Sequence, residues 1–329
     1  MPQTREGPPA EGALVVEPGE AGFRLDAFLV RRGLAPSSSA ARRALAAGVV
    51  RVNGRPAKKG THLQTDDTVD LGGGPAADVL LAPSPQVELT VLYQDQDIVA
   101  VEKQAGMPSH PLRPGEVTTV ASALIARFPE CAAASPDARE GGLGHRLDVA
   151  TSGVILAARS RETWHRLREA LAAPLCEKTY LAEVLGHFPF ARADEFVLPG
   201  PHRESLVVTA PIGRQGRRGD RVRVAAGRQP LPACTEVTLL EAREAGGLVE
   251  ARLARGRAHQ VRAHLAHLGI PVRGDPLYGQ AEPEVDLRLH AWAVSLVHPV
   301  TAQPLRIEAP PPVWVRAYSN WAILVSTRR

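Results

Sequence analysis

The sequence predicts an α+β protein in which a mixed, mainly antiparallel sheet forms a large C-terminal domain and a small α/β domain precedes it. Apolar segments of strand length outnumber those with helical spacing, and the two kinds do not alternate regularly. Regular alternation would favour a doubly wound parallel sheet, so its absence favours an antiparallel one. A Gly- and Pro-rich stretch at 72–85 separates the two parts, and 329 residues suffice for two domains.

The N-terminal part has the pattern of two helices followed by a hairpin. Residues 1–19 mix Pro, Gly and Glu without periodicity and are predicted to form a disordered tail. Residues 20–72 form the small domain, in which serines cap the second helix and Gly48 ends it. Its predicted elements are helices over 23–30 and 40–47, strands over 49–52 and 68–71, and a turn at Asn53-Gly54.

The C-terminal domain is predicted to span residues 88–329, after a linker at 73–87. Its predicted strands cover 89–92, 98–101, 154–158, 180–185, 237–240 and 249–253. Ser160 is the expected cap of a helix that runs to Ala172. A second helix is predicted over 258–268, where Gly269 and Pro271 end it.

Composition narrows the class of protein without naming one. The net charge is only +4, and the abundance of Arg over Lys is explained equally well by GC-rich codon usage. No run approaches the roughly 18 to 20 apolar residues of a membrane span, and the N-terminus lacks a signal pattern. The three cysteines lie far apart, which fits neither a disulfide framework nor a metal site. A cytoplasmic protein is therefore expected.

One run of ten residues, Gly144 to Gly153, carries most of the functional information. It reads Gly-His-Arg-Leu-Asp-Val-Ala-Thr-Ser-Gly, so that a single carboxylate, Asp148, follows a basic and apolar triplet. A carboxylate among apolar neighbours and beside a fixed cation stays ionised and can act as a nucleophile or base. The residues alone leave a second interpretation open, in which Asp148 caps the polar turn that follows it.

This run resembles the His-Arg-Leu-Asp-x-x-Thr-Ser-Gly signature of RluA-type pseudouridine synthases, which isomerise uridine in ribosomal or transfer RNA. Further segments similar to motifs of that family are 97–111, 178–186, 256–269, 274–279, 289–291 and 298–299. Three positions depart from the family pattern: Gln104 replaces a usual Pro, and Arg255 and Ala258 replace usual Thr residues. Residues 188–228 match the family poorly and are a candidate region for substrate choice.

The resemblance implies an isomerase that needs neither a cofactor nor a metal, because the base leaves and rejoins the same sugar. Asp148 matches the catalytic carboxylate, which either attacks the sugar or takes its 2′-hydrogen. Arg262 is implied to pair with Asp148, and Tyr180 to stack on the uracil in a central active-site cleft. Tyr180 is also a candidate to take the proton from carbon 5 of the base. Arg146 would fill the space that the flipped nucleotide leaves in the RNA.

The resemblance also implies an RNA partner. Residues 20–72 resemble the small RNA-binding domain named after the fourth protein of the small ribosomal subunit, whose cations would neutralise phosphates. The cations of this predicted footprint are Arg24, Arg31, Arg32, Arg42, Arg43, Arg51, Arg55, Lys58 and Lys59. The residues of the catalytic domain that are predicted to contact RNA are His145, Arg146, Lys178, Arg257 and His259.

Two other functions were weighed against an RNA pseudouridine synthase. A catalytically silent RNA-binding or ribosome-assembly factor could keep the same fold, but Asp148, Tyr180 and Arg262 are all present. An aspartate-dependent glycosidase would need two carboxylates around the bond, and the matched motifs supply no second one. The N-terminal domain favours large-subunit rRNA over tRNA as substrate. A monomer is expected.

Overall fold

The chain divides into two structural units. The structure is a computed structural model that describes residues 13–35, 38–46, 48–58, 60–71, 81–112, 115–202, 204–215, 221–226, 228–279, 282 and 284–319. One unit runs up to Leu81 and includes Pro136–Arg139, and the other comprises Ala82–Ser135 and the chain from Glu140 onward. Among the described residues, no helix is long and apolar enough to cross a membrane.

Two helices on a four-stranded antiparallel sheet make up the first unit. The helices are α1 (Leu25–Arg31) and α2 (Ser38–Ala46), and the strands are β1 (Leu14–Val15), β2 (Val50–Val52), β3 (Arg55–Pro56) and β4 (Thr68–Leu71). The sheet order is β1-β4-β2-β3. Asn53 and Gly54 both have positive φ, 53° and 75°, as the tight turn between β2 and β3 requires. Phe28 and Leu29 are fully buried between the helices and the sheet.

The prediction of a disordered tail over residues 1–19 is wrong for its described part. Leu14 pairs with Val69 at the edge of the sheet, and Val16 is fully buried. The Val16 N–H donates to the Asp67 carbonyl at 2.9 Å. The apolar run 14–16 is short and lies among Pro and Gly residues, so the sequence pattern did not indicate a strand. It is nevertheless stabilised by hydrogen bonds at the edge of the sheet. Residues 1–12 lie outside the described residues.

A mixed, mainly antiparallel sheet forms the second unit, as predicted. The remaining strands in chain order are β5 (Thr90–Gln94), β6 (Ile98–Lys103), β7 (Ser152–Ala158), β8 (Glu177–Leu185), β9 (Val197–Pro199), β10 (Ser205–Val208), β11 (Ile212–Gln215), β12 (Arg221–Val224), β13 (Arg228–Leu231), β14 (Thr235–Arg243), β15 (Gly246–Leu253), β16 (Leu289–Val297) and β17 (Pro304–Glu308). The large sheet has the order β5-β6-β7-β16-β8-β15-β14-β10-β9, with β17 beside β16. Its strand pairs are antiparallel except for β7 with β16.

Four helices accompany the sheet in the described residues. They are α3 (Val120–Arg127), α4 (Arg161–Ala170), α5 (Gln260–His267) and α6 (Val313–Arg316). The Ser160 hydroxyl accepts the Thr163 N–H at 3.1 Å and so caps α4, as predicted. Ser84, within the predicted linker 73–87, is fully buried, and its N–H bonds the Ser122 carbonyl of α3. Residues 82–87 of that segment therefore belong to the second unit, and residues 72–80 lie outside the described residues.

Strands β11, β12 and β13 form a separate sheet, called here the three-stranded sheet, with the order β12-β11-β13. It lies within the segment 188–231, most of which resembles the family poorly in sequence. Ile212 and Val222 of this sheet pack against Ala263 of α5. The three-stranded sheet is thus joined to the helix that carries Arg262.

The register of the central strands brings the predicted catalytic residues together. Ala291 of β16 lies opposite Gly153 of β7 on one side and opposite Tyr180 of β8 on the other. Two strand spacings, about 10 Å, therefore separate Gly153 from Tyr180. Asp148 lies just before β7, so the fold places it near Tyr180.

Candidate active site

Asp148 lies in a loop that hydrogen bonds fix on both sides. The Leu147 N–H donates to the Ser109 hydroxyl at 3.1 Å, and that hydroxyl donates to the Leu147 carbonyl at 3.0 Å. The Thr151 N–H closes a turn onto the Asp148 carbonyl at 3.0 Å. The Asp148 backbone is therefore held in place, while its side chain keeps 28% of its surface exposed. The carboxylate can reach a substrate.

Lys103 stabilises the same loop through hydrogen bonds to its backbone. Its fully buried ammonium donates to the carbonyls of Gln104 at 2.9 Å and Val149 at 2.8 Å. Burial lowers the pKa of Lys103 to about 8, although the charge of Asp148 favours the protonated form. The Gly106 N–H also donates to the Val149 carbonyl. The residue after Asp148 is thus fixed by two donors.

Gly153 lets β7 and β16 approach closely at the end of this loop. Its φ is +120°, and a Cβ at this position would collide with the backbone of Ala291. The adjacent Ser152 hydroxyl lies 2.8 Å from Nδ1 of His290 on the same partner strand. The Thr-Ser-Gly end of the signature therefore has a structural task, which is to dock the loop of Asp148 onto the sheet.

Arg262 joins Asp148 to a second, buried carboxylate. Its NH1 lies 2.9 Å from Oδ2 of Asp148, as the resemblance implied. Its Nε and NH2 both donate to Asp275 at 2.8 Å, a bidentate pair in which Asp275 is fully buried. Burial lowers the pKa of Arg262, but the hydrogen bonds and charges of Asp275 and Asp148 more than offset this and raise it. The guanidinium is therefore permanently charged and rigidly oriented.

Asp275 is held in its ionised form by its surroundings. Burial raises the pKa of the carboxyl, but the hydrogen bonds and charge of Arg262 outweigh burial and lower it overall. Its Oδ1 also accepts the N–H groups of Leu277 at 2.9 Å and Tyr278 at 3.2 Å. Sequence reasoning missed this residue. Its only signal was the Gly-Asp-Pro-Leu-Tyr-Gly run at 274–279, which the family match covered without a role.

His259 is the second residue that contacts Asp148. Its Nε2 lies 3.6 Å from Oδ2 of Asp148, and its Nδ1 lies 3.0 Å from the Tyr278 hydroxyl. Burial lowers the pKa of His259. It precedes α5 with φ at +56°, in the left-handed region that few residues other than Gly adopt. The structure places His259 beside Asp148, and its predicted contact with RNA stays a prediction.

Tyr180 lies on β8 beside this group, and its environment keeps it protonated. Burial, and next the charge of Asp148, raise the pKa of its phenol above the ordinary value. A phenol with a raised pKa is a poor base at neutral pH. Its ring is still available to contact a uracil. The raised pKa therefore opposes the predicted proton transfer from carbon 5, and the stacking role of Tyr180 stays a prediction.

Two residues that were predicted to contact RNA make hydrogen bonds that support the fold. His145 accepts the Leu156 N–H at Nε2, at 3.1 Å, and burial lowers the pKa of its ring to about 3, so the ring is neutral. Lys178 is only 8% exposed, and its ammonium donates to the Leu171 carbonyl at 3.0 Å. Lys178 therefore directs its ammonium inward, whereas His145 is partly exposed and binds the backbone of β7 through Nε2.

Arg146 and Arg257 occupy positions from which RNA can be reached. Arg146 is exposed and lies two residues before Asp148, with NH1 3.5 Å from Nε2 of His110. Arg257 is half-buried in the loop before α5, and its backbone N–H donates to the Gln260 side chain at 3.0 Å. Their roles in RNA binding stay predictions.

The small domain presents most of its predicted cations to solvent. Arg24, Arg31, Arg42, Arg51, Arg55 and Lys58 are exposed. Arg24 and Arg42 share Asp26 as an ion-pair partner, and Arg32 is half-buried between Glu17 and Glu20. Arg32 is therefore committed to the fold. The Arg43 side chain and Lys59 lie outside the described residues.

Three histidines of the second unit are expected to make its stability fall in acid. Burial lowers the pKa of His145 to about 3, and those of His264 and His290 to about 4. The unfolded chain takes up these protons near pH 6.5, so below that pH it binds more protons than the native state does, and stability declines. Urea unfolding between pH 7 and pH 5 should show this decline, by at most roughly 1.4 kcal/mol per pH unit for each histidine.

A substitution separates this effect from other sources of acid sensitivity. His264 bridges the Thr235 hydroxyl and the Ala210 carbonyl at 2.9 Å each. Replacing it with Gln removes one titrating group and should make the decline shallower. A free energy of unfolding that stays constant from pH 7 to pH 5 would contradict the prediction.

The comparisons with known proteins agree with this geometry. A family model described as RNA pseudouridylate synthase matches residues 97–267, and one described as S4 domain matches residues 23–69. The chain is 34% identical over 315 residues to a ribosomal large subunit pseudouridine synthase D of Xanthomonas campestris, covering 91% of this chain and 88% of that protein. It is 33% identical to an uncharacterized RNA pseudouridine synthase of Mycobacterium bovis, covering 92% and 95% of the two chains.

A solved structure shares the fold. The human protein RNA pseudouridylate synthase domain containing 1 superposes with a TM-score of 0.55 at 22% identity, over 74% of this chain and 96% of that one. The match of the first family model spans more than half of the sequence and includes Asp148, Tyr180 and Arg262. The chain therefore belongs to the RNA pseudouridylate synthase family and carries an N-terminal S4 RNA-binding domain.

Proposed function

We propose that this pseudouridine synthase acts on specific uridines of large-subunit rRNA and uses Asp148 as its reacting carboxylate. The observation that carries the catalytic part is the contact of 2.9 Å between Arg262 and Asp148, anchored on buried Asp275. The support for rRNA is the Xanthomonas campestris relative, a ribosomal large subunit enzyme. The S4 domain supports an RNA substrate in general.

Asp148 has the properties that the first step needs. The bond between the sugar C1′ and the uracil N1 must break while the base stays bound. Asp148 either bonds to C1′ as a nucleophile or removes the 2′-hydrogen to give a glycal, and both routes need an ionised, partly exposed carboxylate. Arg262 orients the Asp148 carboxylate through the contact of 2.9 Å between its NH1 and Oδ2.

The freed uracil then turns and rejoins C1′ through its carbon 5. Carbon 5 loses a proton and N1 gains one, so the reaction is balanced without an external reactant. In this proposal Tyr180 holds the ring of the uracil as a neutral phenol, since burial raises its pKa. A solvent molecule or Asp148 itself would carry the proton from carbon 5. The target nucleotide must first leave the RNA stack, which costs a few kcal/mol, and exposed Arg146 would occupy its place.

The glycosidase alternative is weakened by the position of the second carboxylate. Asp275 is near Asp148 through their shared Arg262, but it is fully buried. Both of its oxygens accept hydrogen bonds from Arg262. Asp275 therefore has no free face from which to act as the general acid that a glycosidase would need.

Pseudouridine mapping in the source organism tests the proposal. Total RNA would be mapped by carbodiimide-stop sequencing in the parent strain, in a deletion strain, and in that strain carrying the wild-type gene or Asp148→Asn. We expect sites in large-subunit rRNA to vanish on deletion and to return only with the wild-type gene. Loss confined to tRNA would overturn the substrate, and rescue by Asp148→Asn would overturn the mechanism.

A further inference from the structure

Tyr278 connects the three-stranded sheet to the ion pair of Arg262 and Asp275. The Val222 N–H of β12 donates to the Tyr278 hydroxyl at 2.9 Å. The Tyr278 N–H donates in turn to Asp275 at 3.2 Å, and its ring lies 5.3 Å from the guanidinium carbon of Arg262. A single side chain thus touches the small sheet at its tip and the ion-pair network at its base.

The hydroxyl of Tyr278 also positions the ring of His259. Its oxygen accepts the Val222 N–H and lies 3.0 Å from Nδ1 of His259. When the hydroxyl donates to that nitrogen, a neutral His259 carries its proton on Nε2, the atom that lies 3.6 Å from Oδ2 of Asp148. A carboxylate oxygen only accepts hydrogen bonds, so the site favours this arrangement, in which the imidazole points a donor toward Asp148.

The three-stranded sheet carries the kind of charge that binds a phosphate backbone. Arg221 and Arg223 flank Val222 on β12 and are exposed, and so is Arg214, which lies opposite Val222 on β11. No ion pair to these three side chains occurs among the described residues. Arginines of this type are suited to RNA phosphates.

Two of these arginines act on Tyr278 and His259 themselves. The guanidinium carbon of Arg221 stands 5.3 Å from the centre of the Tyr278 ring. Burial is the main cause of the lowered pKa of His259, and the charge of Arg214 adds to that effect. RNA bound to the sheet would therefore lie beside the contact that orients His259.

We infer that Tyr278 is a positioning residue that couples RNA contact on the three-stranded sheet to the orientation of His259 and Asp148. The inference rests on the proposed function, because it assigns the sheet to the RNA substrate of the same active site. Val222 fixes the tip of Tyr278, Tyr278 fixes His259, and His259 with Arg262 fixes the carboxylate. Displacement of the sheet changes the first of these contacts and so reaches Asp148.

The first experiment is a double-substitution cycle on Tyr278 and His259. Tyr278→Phe keeps the ring under Arg221 and removes only the hydroxyl, and His259→Asn keeps a side chain that tolerates the left-handed backbone. We expect each single variant to lower kcat on the rRNA substrate by roughly tenfold, with KM within about twofold of wild type. We expect the double variant to be no slower than His259→Asn alone, because Tyr278 acts through His259.

Controls separate this inference from the function on which it rests. Tyr93→Phe removes a hydroxyl on strand β5 that donates to Asp95. This variant should leave kcat unchanged. A wild-type enzyme that forms no pseudouridine in the RNA would mean that the proposed function has failed. Two results would overturn the inference and leave the proposed function standing. One is an active wild-type enzyme whose kcat Tyr278→Phe matches, and the other is a double variant in which the effects of the two substitutions multiply.

The RNA side of the coupling has its own measurement. Replacing Arg214 and Arg223 with Gln should raise KM and reduce the salt dependence of RNA binding, since each lost phosphate contact releases one counterion fewer. In wild type we expect this pair of substitutions to lower kcat as well, and in the Tyr278→Phe background to change KM alone. Unchanged RNA affinity would remove the sheet from the inference. Should Tyr278→Phe fail to fold, His259→Asn carries the test, and an unchanged kcat in that variant overturns the coupling.

Discussion

Replacing Asp148 with Asn is expected to abolish pseudouridine formation while leaving RNA binding and folding intact. The change removes one charge and no volume, and the Asn oxygen can still accept from NH1 of Arg262, which keeps Asp275 as its counterion. An amide is neither a nucleophile toward C1′ nor a base for the 2′-hydrogen. The loss in kcat should reach at least about 10⁴-fold, the scale seen when a reacting group is removed.

The measurement is single-turnover conversion of a purified rRNA fragment, with RNA affinity measured on the same preparation. Asp286→Asn is the matched control, because it makes the same chemical change at an exposed aspartate of the same domain. The dissociation constant for RNA should stay within about threefold of wild type in both variants. Residual turnover above one hundredth of wild type would show that Asp148 is not the reacting carboxylate.

The sequence led to the contact between Asp148 and Arg262 but not to the residues that support it. Asp148 and Arg262 lie 114 residues apart, and only the family resemblance linked them before the structure placed them 2.9 Å from each other. Asp275 and Tyr278 carried no pattern that periodicity or charge could single out. Their importance depends on where β8, β16 and the loop after α5 meet, which local sequence does not encode.

The errors concern the direction of polar side chains. His145 and Lys178 were predicted to contact RNA because they are basic and belong to matched motifs, yet both direct their polar ends at backbone groups. A basic residue near a catalytic aspartate can hydrogen bond to the surrounding backbone or bind the RNA. Its burial in the folded structure distinguishes the two roles. The tail prediction failed for a different reason, since a run as short as Leu14–Val15 adds an edge strand when a partner such as β4 is available.

Removing the guanidinium of Arg262 is expected to cost stability as well as activity. Arg262→Met leaves Asp275 buried without its cation, and breaking such a buried pair from one side costs about 3–5 kcal/mol. The double variant Arg262→Met with Asp275→Asn removes both charges, keeps an acceptor for the N–H of Leu277, and should recover most of that loss. Urea unfolding of the wild type, the single variant and the double variant measures this difference.

Arg273→Met is the matched control for the substitution itself. Arg273 also bonds two carboxylates, Glu183 and Glu282, but its side chain is 40% exposed, against 6% for Arg262. Exposed ion pairs contribute little, so this variant should lose less than about 1 kcal/mol. An equal loss in both variants would mean that burial of the Asp275 pair is not the cause.

Activity is expected to separate from stability in this series. Both Arg262→Met and the double variant leave Asp148 without the cation that aims it, so kcat should stay lower by roughly 10² to 10³-fold even where stability returns. Recovery of turnover in the double variant would show that Arg262 acts on catalysis only by neutralising Asp275. Recovery of stability without turnover would instead show that the guanidinium has two separate roles, one for each carboxylate. Different nitrogen atoms already serve the two roles, because Nε and NH2 bind Asp275 and NH1 binds Asp148.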